Sequence, residues 1–284
     1  MTKTSQSIAN GFSRAARHYD VWARSQHRAA ERLVDMLPKE SVSGRVVDLG
    51  CGTGAVIDAL LKRSANEPPM FIEGVDISSK MIDAASARFE EFSEIRFHQK
   101  EMTAFLESIF ISDEDEGRVL YDAVVSNFAA QWVDCPEQLC AASRNCLVPD
   151  GVLAICVPVE GSLPELHNAI ATTGRELHTV FRPAEEWRKA ITNAGLQILA
   201  WEEDELTESY KTGREALASV HKIGAARALH AGRSRLSITQ MRRVMRSLES
   251  AASRNPQSAN ENAAQERGVT MTYRAIWCVA SNQS

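Results

Sequence analysis

The chain has 284 residues, of which 44% are apolar and 24% charged, the profile of an ordinary soluble protein, and its formal net charge of -5 by itself excludes no partner. No apolar run approaches the roughly 18 residues of a membrane span, and the N-terminus holds no apolar signal core, so no membrane role and a cytoplasmic location are expected. The six cysteines, at 51, 135, 140, 146, 156 and 278, include no C-x-x-C pair; they read as reduced, mostly buried small hydrophobes, and no metal is expected.

Residues 1–10 are polar and are expected to fray. From 11 to 37 the apolar residues Phe12, Ala15, Ala16, Tyr19, Trp22 and Ala23, then Leu33, Met36 and Leu37, recur at helical steps, with Arg14, Arg17, Arg24, Arg28 and Arg32 on opposite faces. Such helices, placed before the first strand, suit a lid, and His18 and Tyr19 are then the residues of interest. Tyr19 equally suits a half-buried aromatic with its hydroxyl at a boundary. Pro38 ends this region.

The core begins near Arg45 with Val46-Val47-Asp48-Leu49-Gly50-Cys51-Gly52-Thr53-Gly54, a buried strand turning sharply into a helix over about 55–64. Glycines at alternate positions allow a ligand to lie against the main chain. A dinucleotide loop would read G-x-G-x-x-G and cradle a pyrophosphate. Here the spacing is G-x-G-x-G with Asp48 just ahead, an acid that opposes pyrophosphate but suits the amino group and sulfonium charge of S-adenosylmethionine. A second strand ends in Asp76, 28 residues after Asp48, where a carboxylate can accept from both ribose hydroxyls; its other reading is an N-cap for a helix starting near Ser79.

That helix, about 79–90, places Met81, Ile82, Ala85 and Phe89 inward. A third strand, Glu94–His98, leads to Glu101 and Met102, which suit the adenine amino group and ring face. The acidic run 112–117 reads as a solvated loop. Strand four, Tyr121–Val125, is followed by Ser126-Asn127-Phe128-Ala129-Ala130-Gln131-Trp132, at the carboxyl end of a parallel strand where open α/β sheets hold ligands. Gln131 and Trp132 suit one wall of a methyl-transfer pocket, although a helix start with Trp132 in the core is the alternative. A helix over 136–147 and strand five, Val152–Val157, come next. Gly161–Val180 reads as helical, Pro183–Gly195 as a capped helix, Leu196–Trp201 as a strand extending towards Tyr210, and Val269–Ala280 as the last strand. Between them, 211–250 carries nine Lys or Arg against two acids, a local balance of +7. It reads as a solvated helical face or as a dock for an anionic partner; the absence of aromatics after Tyr210 argues against nucleic acid. Residues 251–267 read as a polar loop.

Taken together, the DLGCGTG loop, the VDIS strand end and SNFAAQW resemble the class I S-adenosylmethionine-dependent methyltransferases. FSRAARHYD at 12–20, SNFAAQW at 126–132, GSLPELH at 161–167, IGA at 223–225, GR at 232–233 and VTMTYRAIW at 269–277 make the chain more closely similar to the malonyl-acyl carrier protein O-methyltransferases of biotin synthesis. The resemblance implies an α/β, Rossmann-like fold: a seven-stranded, mostly parallel sheet with an antiparallel last strand, helices on both faces and a helical lid. It divides one domain, 1–284, into lid helices 11–37, a nucleotide-binding core 41–210, a basic insertion and loop 211–267, and a last strand 268–284. The implied cofactor set is Asp48, Gly50, Cys51, Gly52, Gly54, Asp76, Ile77, Met81, Glu101, Met102, Asn127 and Phe128, with S-adenosylhomocysteine as product.

The implied reaction esterifies the free carboxylate of a malonyl thioester, which is ionised at neutral pH and needs no general base. The partner is an acyl carrier protein docking on the basic insertion of a monomer. One of Arg14, Arg17 or Arg233 is expected to face the substrate carboxylate, with Tyr19, Gln131 or His167 as hydrogen-bonding neighbours. Relatives carry L-K-G-I-G-A where this chain reads Val220-His221-Lys222-Ile223-Gly224-Ala225, so the lysine's role passes to His221, Lys222 or neither; the tail 251–267 is also longer. The alternatives are a class I methyltransferase acting on another small acid, a NAD-type oxidoreductase, and a silent scaffold.

Overall fold

The computed structural model describes residues 3–63, 71–111, 120–179, 181–223, 236–252 and 268–283. The chain opens with α1 (Lys3–Ala15), a short 3-10 turn, α2 (Tyr19–Trp22), α3 (Arg24–Asp35) and α4 (Lys39–Val42). Then β1 (Arg45–Leu49), α5 (Ala55–Arg63), β2 (Phe71–Asp76), α6 (Ser79–Arg88), β3 (Ile95–Gln99), α7 (Met102–Ile111) and β4 (Tyr121–Asn127) alternate. They are followed by α8 (Pro136–Asn145), β5 (Leu147–Pro158), α9 (Pro164–Ala171), α10 (Ala184–Asn193), β6 (Gln197–Tyr210), α11 (Gly213–Lys222), α12 (Ile238–Ala252) and β7 (Val269–Ser281).

The seven strands form one sheet in the order β3-β2-β1-β4-β5-β7-β6, parallel except that β7 runs antiparallel to both neighbours. The order reverses between β1 and β4, and this switch point is where an open α/β sheet leaves a crevice at its carboxyl edge. Both faces are covered, so successive strand residues enter opposite cores: Val46, Val125, Cys156 and Trp277 join one apolar cluster with Leu33 and Leu60, and Val47, Val124, Ile155 and Cys278 join another with Leu106 and Trp187. Trp277 also donates its indole N–H to the carbonyl of Ala29 at 3.2 Å, fixing α3 on the sheet. All six cysteines are free thiols, and all but Cys135 are buried.

Three expectations are corrected. Residues 3–10 are not frayed but form most of α1, which Ser13 ties to the head of α6 through Ser78 Oγ at 2.9 Å. The helix expected over 161–180 spans only Pro164–Ala171, because the chain turns at Gly174 with φ +72°. An unanticipated helix, α7, begins where Glu101 accepts from the Ala104 amide at 2.8 Å and so caps it. The described parts of the basic insertion are helical, as α11 and α12; residues 224–235 and 253–267 lie outside the described residues.

Candidate active site

A cavity of about 720 Å³ lies at the sheet's switch point, walled by Gly50 and Gly52, Asp76 and Ile77, Met81, Glu101 and Met102, and Asn127 and Phe128. Ile8, Phe12 and Tyr19 from the N-terminal helices line it as well. The glycine loop is fixed from behind, since the amides of Gly50 and Cys51 both donate to the carbonyl of Val75, at 2.7 and 3.0 Å. Gly50 has φ +75°, and a Cβ there would lie 2.2 Å from that of Ala129. Gly52, φ +55°, is open: the nearest atom to an added Cβ is a ring carbon of Tyr19 at 3.9 Å.

Asp76 sits at the end of β2 and accepts from the amides of Gly52, at 3.0 Å, and Ser78, at 2.7 Å. The N-cap of α6 is Ser78, not Asp76, for its hydroxyl accepts from the Met81 amide. Burial pushes the Asp76 carboxyl up to about 6, against the pull of those two amides. Asp48 is more extreme. It lies beneath the loop rather than in the cavity wall, is 1% exposed, and neither carboxylate oxygen has a hydrogen-bond partner among the described residues. Desolvation, with Asp76 nearby, pushes it up to about 8.

The cavity's charged lining is mostly acidic: among the described residues Asp76, Glu101, Glu107 and Asp134 stand against one cation, Lys100. Such a wall repels a pyrophosphate and attracts a positively charged nucleotide. The buried Oδ1 of Asn127, which has no hydrogen-bond partner among the described residues, adds an acceptor, while its Nδ2 donates to the Gln26 carbonyl at 2.9 Å. These features fit the amino acid end, ribose and adenine of S-adenosylmethionine.

The raised Asp48 carboxyl has a measurable consequence. The unfolded chain gives up this proton near pH 4 and the folded chain near pH 8, so the folded state holds more protons in that window and stability falls as pH rises through it. The slope is on the order of 1.4 kcal/mol per pH unit. Asp48→Asn removes it, so in urea unfolding the ligand-free variant gains on the parent steadily from pH 5 to pH 8; parallel pH profiles would refute the burial argument.

A second, smaller cavity of about 30 Å³ adjoins the first, lined by Phe12, Tyr19, Gln26, Phe128, Gln131, Trp132, Pro158, Leu163, Phe181, Ile223 and Tyr273. None of these is charged. Tyr19 is held protonated, because burial and the neighbouring Asp76 and Asp20 raise its hydroxyl well above its ordinary value. Asp20, in turn, accepts from Thr53 Oγ1 of the glycine loop at 2.5 Å, latching α2 over the site.

The other anticipated residues fall elsewhere. Cys51 is buried, and Gly54 starts α5 against Phe89, neither lining a cavity. Arg14, Arg17 and His18 are exposed, and His167 on α9 lines neither cavity. His221 and Lys222 end α11, and Lys222 is exposed and lines neither cavity; Arg233 lies outside the described residues. The GSLPELH segment acts as a staple: Ser162 Oγ donates to the Arg274 carbonyl, and Glu165 accepts from the Thr272 hydroxyl at 2.6 Å. Sequence reasoning missed Ile8, Gln26, Glu107, Asp134, Phe181 and the pocket role of Tyr273, which come from separate elements and share no local pattern.

A model of the methyltransferase domain matches residues 21–200. The chain is also 33% identical over 229 residues to the malonyl-[acyl-carrier protein] O-methyltransferase of Acetivibrio thermocellus, covering 75% of this chain and 76% of that one. The chain belongs to this methyltransferase family. It is 30% identical over 233 residues, 79% of its length, to the biotin biosynthesis bifunctional protein BioHC of Teredinibacter turnerae, of which it spans 39%. The fold itself is matched by the crystal structure of the YcgJ protein of Bacillus subtilis, with a TM-score of 0.57 at 16% identity, over 91% of this chain and 99% of that one.

Proposed function

We propose that this methyltransferase esterifies the free carboxylate of a malonyl thioester on acyl carrier protein, capping a charged end so that the acyl group can enter chain elongation towards the pimeloyl unit of biotin. The observation that carries the reading is an acid-lined nucleotide cavity adjoining a smaller one whose described lining residues are uncharged. The two spaces suit a cationic donor and a desolvated acceptor. The names of the relatives above support the substrate.

Bound in the larger cavity, S-adenosylmethionine supplies an electrophilic methyl group. Gly50 and Gly52 let the main chain approach it, Asp76 accepts from the ribose, and Glu101 and Met102 flank the adenine. Asn127 Oδ1 meets the amino acid end, and Asp48, buried beneath the glycine loop, supports that end from behind the cavity wall. The aromatic wall of Phe12, Tyr19, Phe128 and Trp132 excludes water and holds the acceptor in line. No residue has to remove a proton, because a carboxylate with an ordinary pKa of about 4 is already ionised at neutral pH. The N-terminal helices act as the lid, held by the Ser13–Ser78 and Thr53–Asp20 contacts.

The carrier docks on the basic insertion, whose described cations Lys211, Arg214, Lys222, Arg242, Arg243 and Arg246 are all exposed. Raising salt from 50 to 500 mM is therefore expected to raise KM for the malonyl carrier several-fold with kcat unchanged; a KM indifferent to salt removes the docking surface. Mass spectrometry of malonyl carrier, malonyl-coenzyme A and succinyl carrier, each incubated with the protein and S-adenosylmethionine, tests the reaction. One added methyl on the malonyl carrier and little on the others is expected. A methyl found only on some other small acid would replace the substrate assignment.

A further inference from the structure

Phe12, Tyr19, Phe128 and Trp132 line both cavities and so form the partition where donor and acceptor meet. The two phenylalanines offer only ring surface, leaving the Tyr19 hydroxyl and Trp132 Nε1 as the side-chain polar groups of the partition. Trp132 Nε1 is buried and has no hydrogen-bond partner among the described residues. An indole nitrogen can only donate, and a buried donor left unpaired costs free energy that a bound acceptor recovers. The ring is held by an edge contact with Phe12, centroids 5.6 Å apart and planes at 90°.

Gln131, beside it, has only part of its amide committed. Its Nε2 donates one of its two N–H groups to the Phe128 carbonyl at 2.8 Å, and its buried Oε1 has no hydrogen-bond partner among the described residues. Turning the amide would set oxygen against oxygen. The second Nε2 N–H keeps Gln131 available as a neighbouring donor beside Trp132. Resting on the carboxyl methylation proposed above, we propose that Trp132 Nε1–H donates to the non-attacking oxygen of the acceptor carboxylate.

The chemistry agrees with that choice. A guanidinium on the carboxylate would withdraw charge from the attacking oxygen, whereas a neutral N–H positions the group and leaves that oxygen nucleophilic. The attacking oxygen forms the bond to the methyl carbon as the electron pair of the carbon–sulfur bond passes to sulfur. No proton moves, and the indole N–H is neither consumed nor regenerated.

The test compares the parent with Trp132→Phe, which keeps a ring against Phe12, and with benzothienylalanine at position 132, which keeps the bicyclic shape and replaces only the N–H. Malonyl-carrier turnover and S-adenosylhomocysteine affinity are both measured. A fall in kcat/KM on the order of tenfold to a hundredfold in both proteins, with S-adenosylhomocysteine affinity kept within about twofold in the benzothienylalanine protein, is the expected result. Unchanged kcat/KM in the benzothienylalanine protein overturns the inference while the parent's turnover leaves the proposed reaction standing. Loss of S-adenosylhomocysteine binding in that protein also overturns it, by moving the N–H into the nucleotide site. A parent that forms no methyl ester on the malonyl carrier sinks the reaction and the inference together.

Discussion

Gly50→Ala is expected to lower kcat/KM by more than a hundredfold and to cost several kcal/mol of stability. Placing a side chain at φ +75° costs about 1–2 kcal/mol, and overpacking costs a further 1–3 kcal/mol or so. The clash is not with a flexible tip: the new Cβ would sit 2.2 Å from that of Ala129, so the backbone after β4 must move. That backbone carries Asn127 and Phe128, the latter already at φ +51°, and both line the nucleotide cavity. Gly52→Ala separates the two effects. Its Cβ meets nothing closer than 3.9 Å but projects from the cavity wall. It should lose about 1 kcal/mol of stability and a large part of its S-adenosylhomocysteine affinity. Chemical unfolding and calorimetry read the two quantities separately; equal stability losses at the two positions would contradict the packing account.

Asp76→Asn is expected to weaken S-adenosylhomocysteine binding on the order of a hundredfold, while the fold survives. The carboxylate accepts from Gly52 and Ser78 and faces the ligand, so asparagine removes the charge and also sets an amide nitrogen against one backbone N–H. Hydrogen bonds to charged groups are worth about 1.5–3 kcal/mol each. Because burial raises this carboxyl to about 6, its ionised, accepting form is lost as pH falls through that value. Affinity in the parent should thus decline below pH 6, and Asp76→Asn should flatten that part of the profile. Identical pH profiles would show that Asp76 does not meet the ribose.

Much of the fold was legible because its strands are buried on both faces and read as short apolar runs between turn signals. Val46–Leu49, Ala123–Val125 and Val152–Val157 all carry that mark, each an unbroken or nearly unbroken stretch of buried residues. α7 escaped because Met102–Ile111 is apolar nearly all round and shows no helical period, and its cap is a glutamate that also suits an adenine. The first part of α1, residues 3–10, escaped for the opposite reason: it is polar, and Ile8 within it covers a cavity rather than a core. Asp48 and Asp76 were legible as strand-ending acids, but their difference in depth was not, since the sequence cannot tell a wall residue from one beneath the loop. The smaller cavity was least legible. Its lining comes from α1, α2, α3, β5, β7 and the turns between elements, and only the folded sheet brings those residues together.

The most direct test of the account is a calorimetric titration of the intact protein with S-adenosylhomocysteine, and in parallel with NAD, at pH 7.5 and pH 5.5 (nominal values about 1.5 and 0.5 units from the carboxyl near 6). One molecule of S-adenosylhomocysteine per chain, bound more weakly at the lower pH, with no heat from NAD, is the predicted result. Binding of NAD in its place would contradict the acid-lined cavity as the seat of a cationic methyl donor.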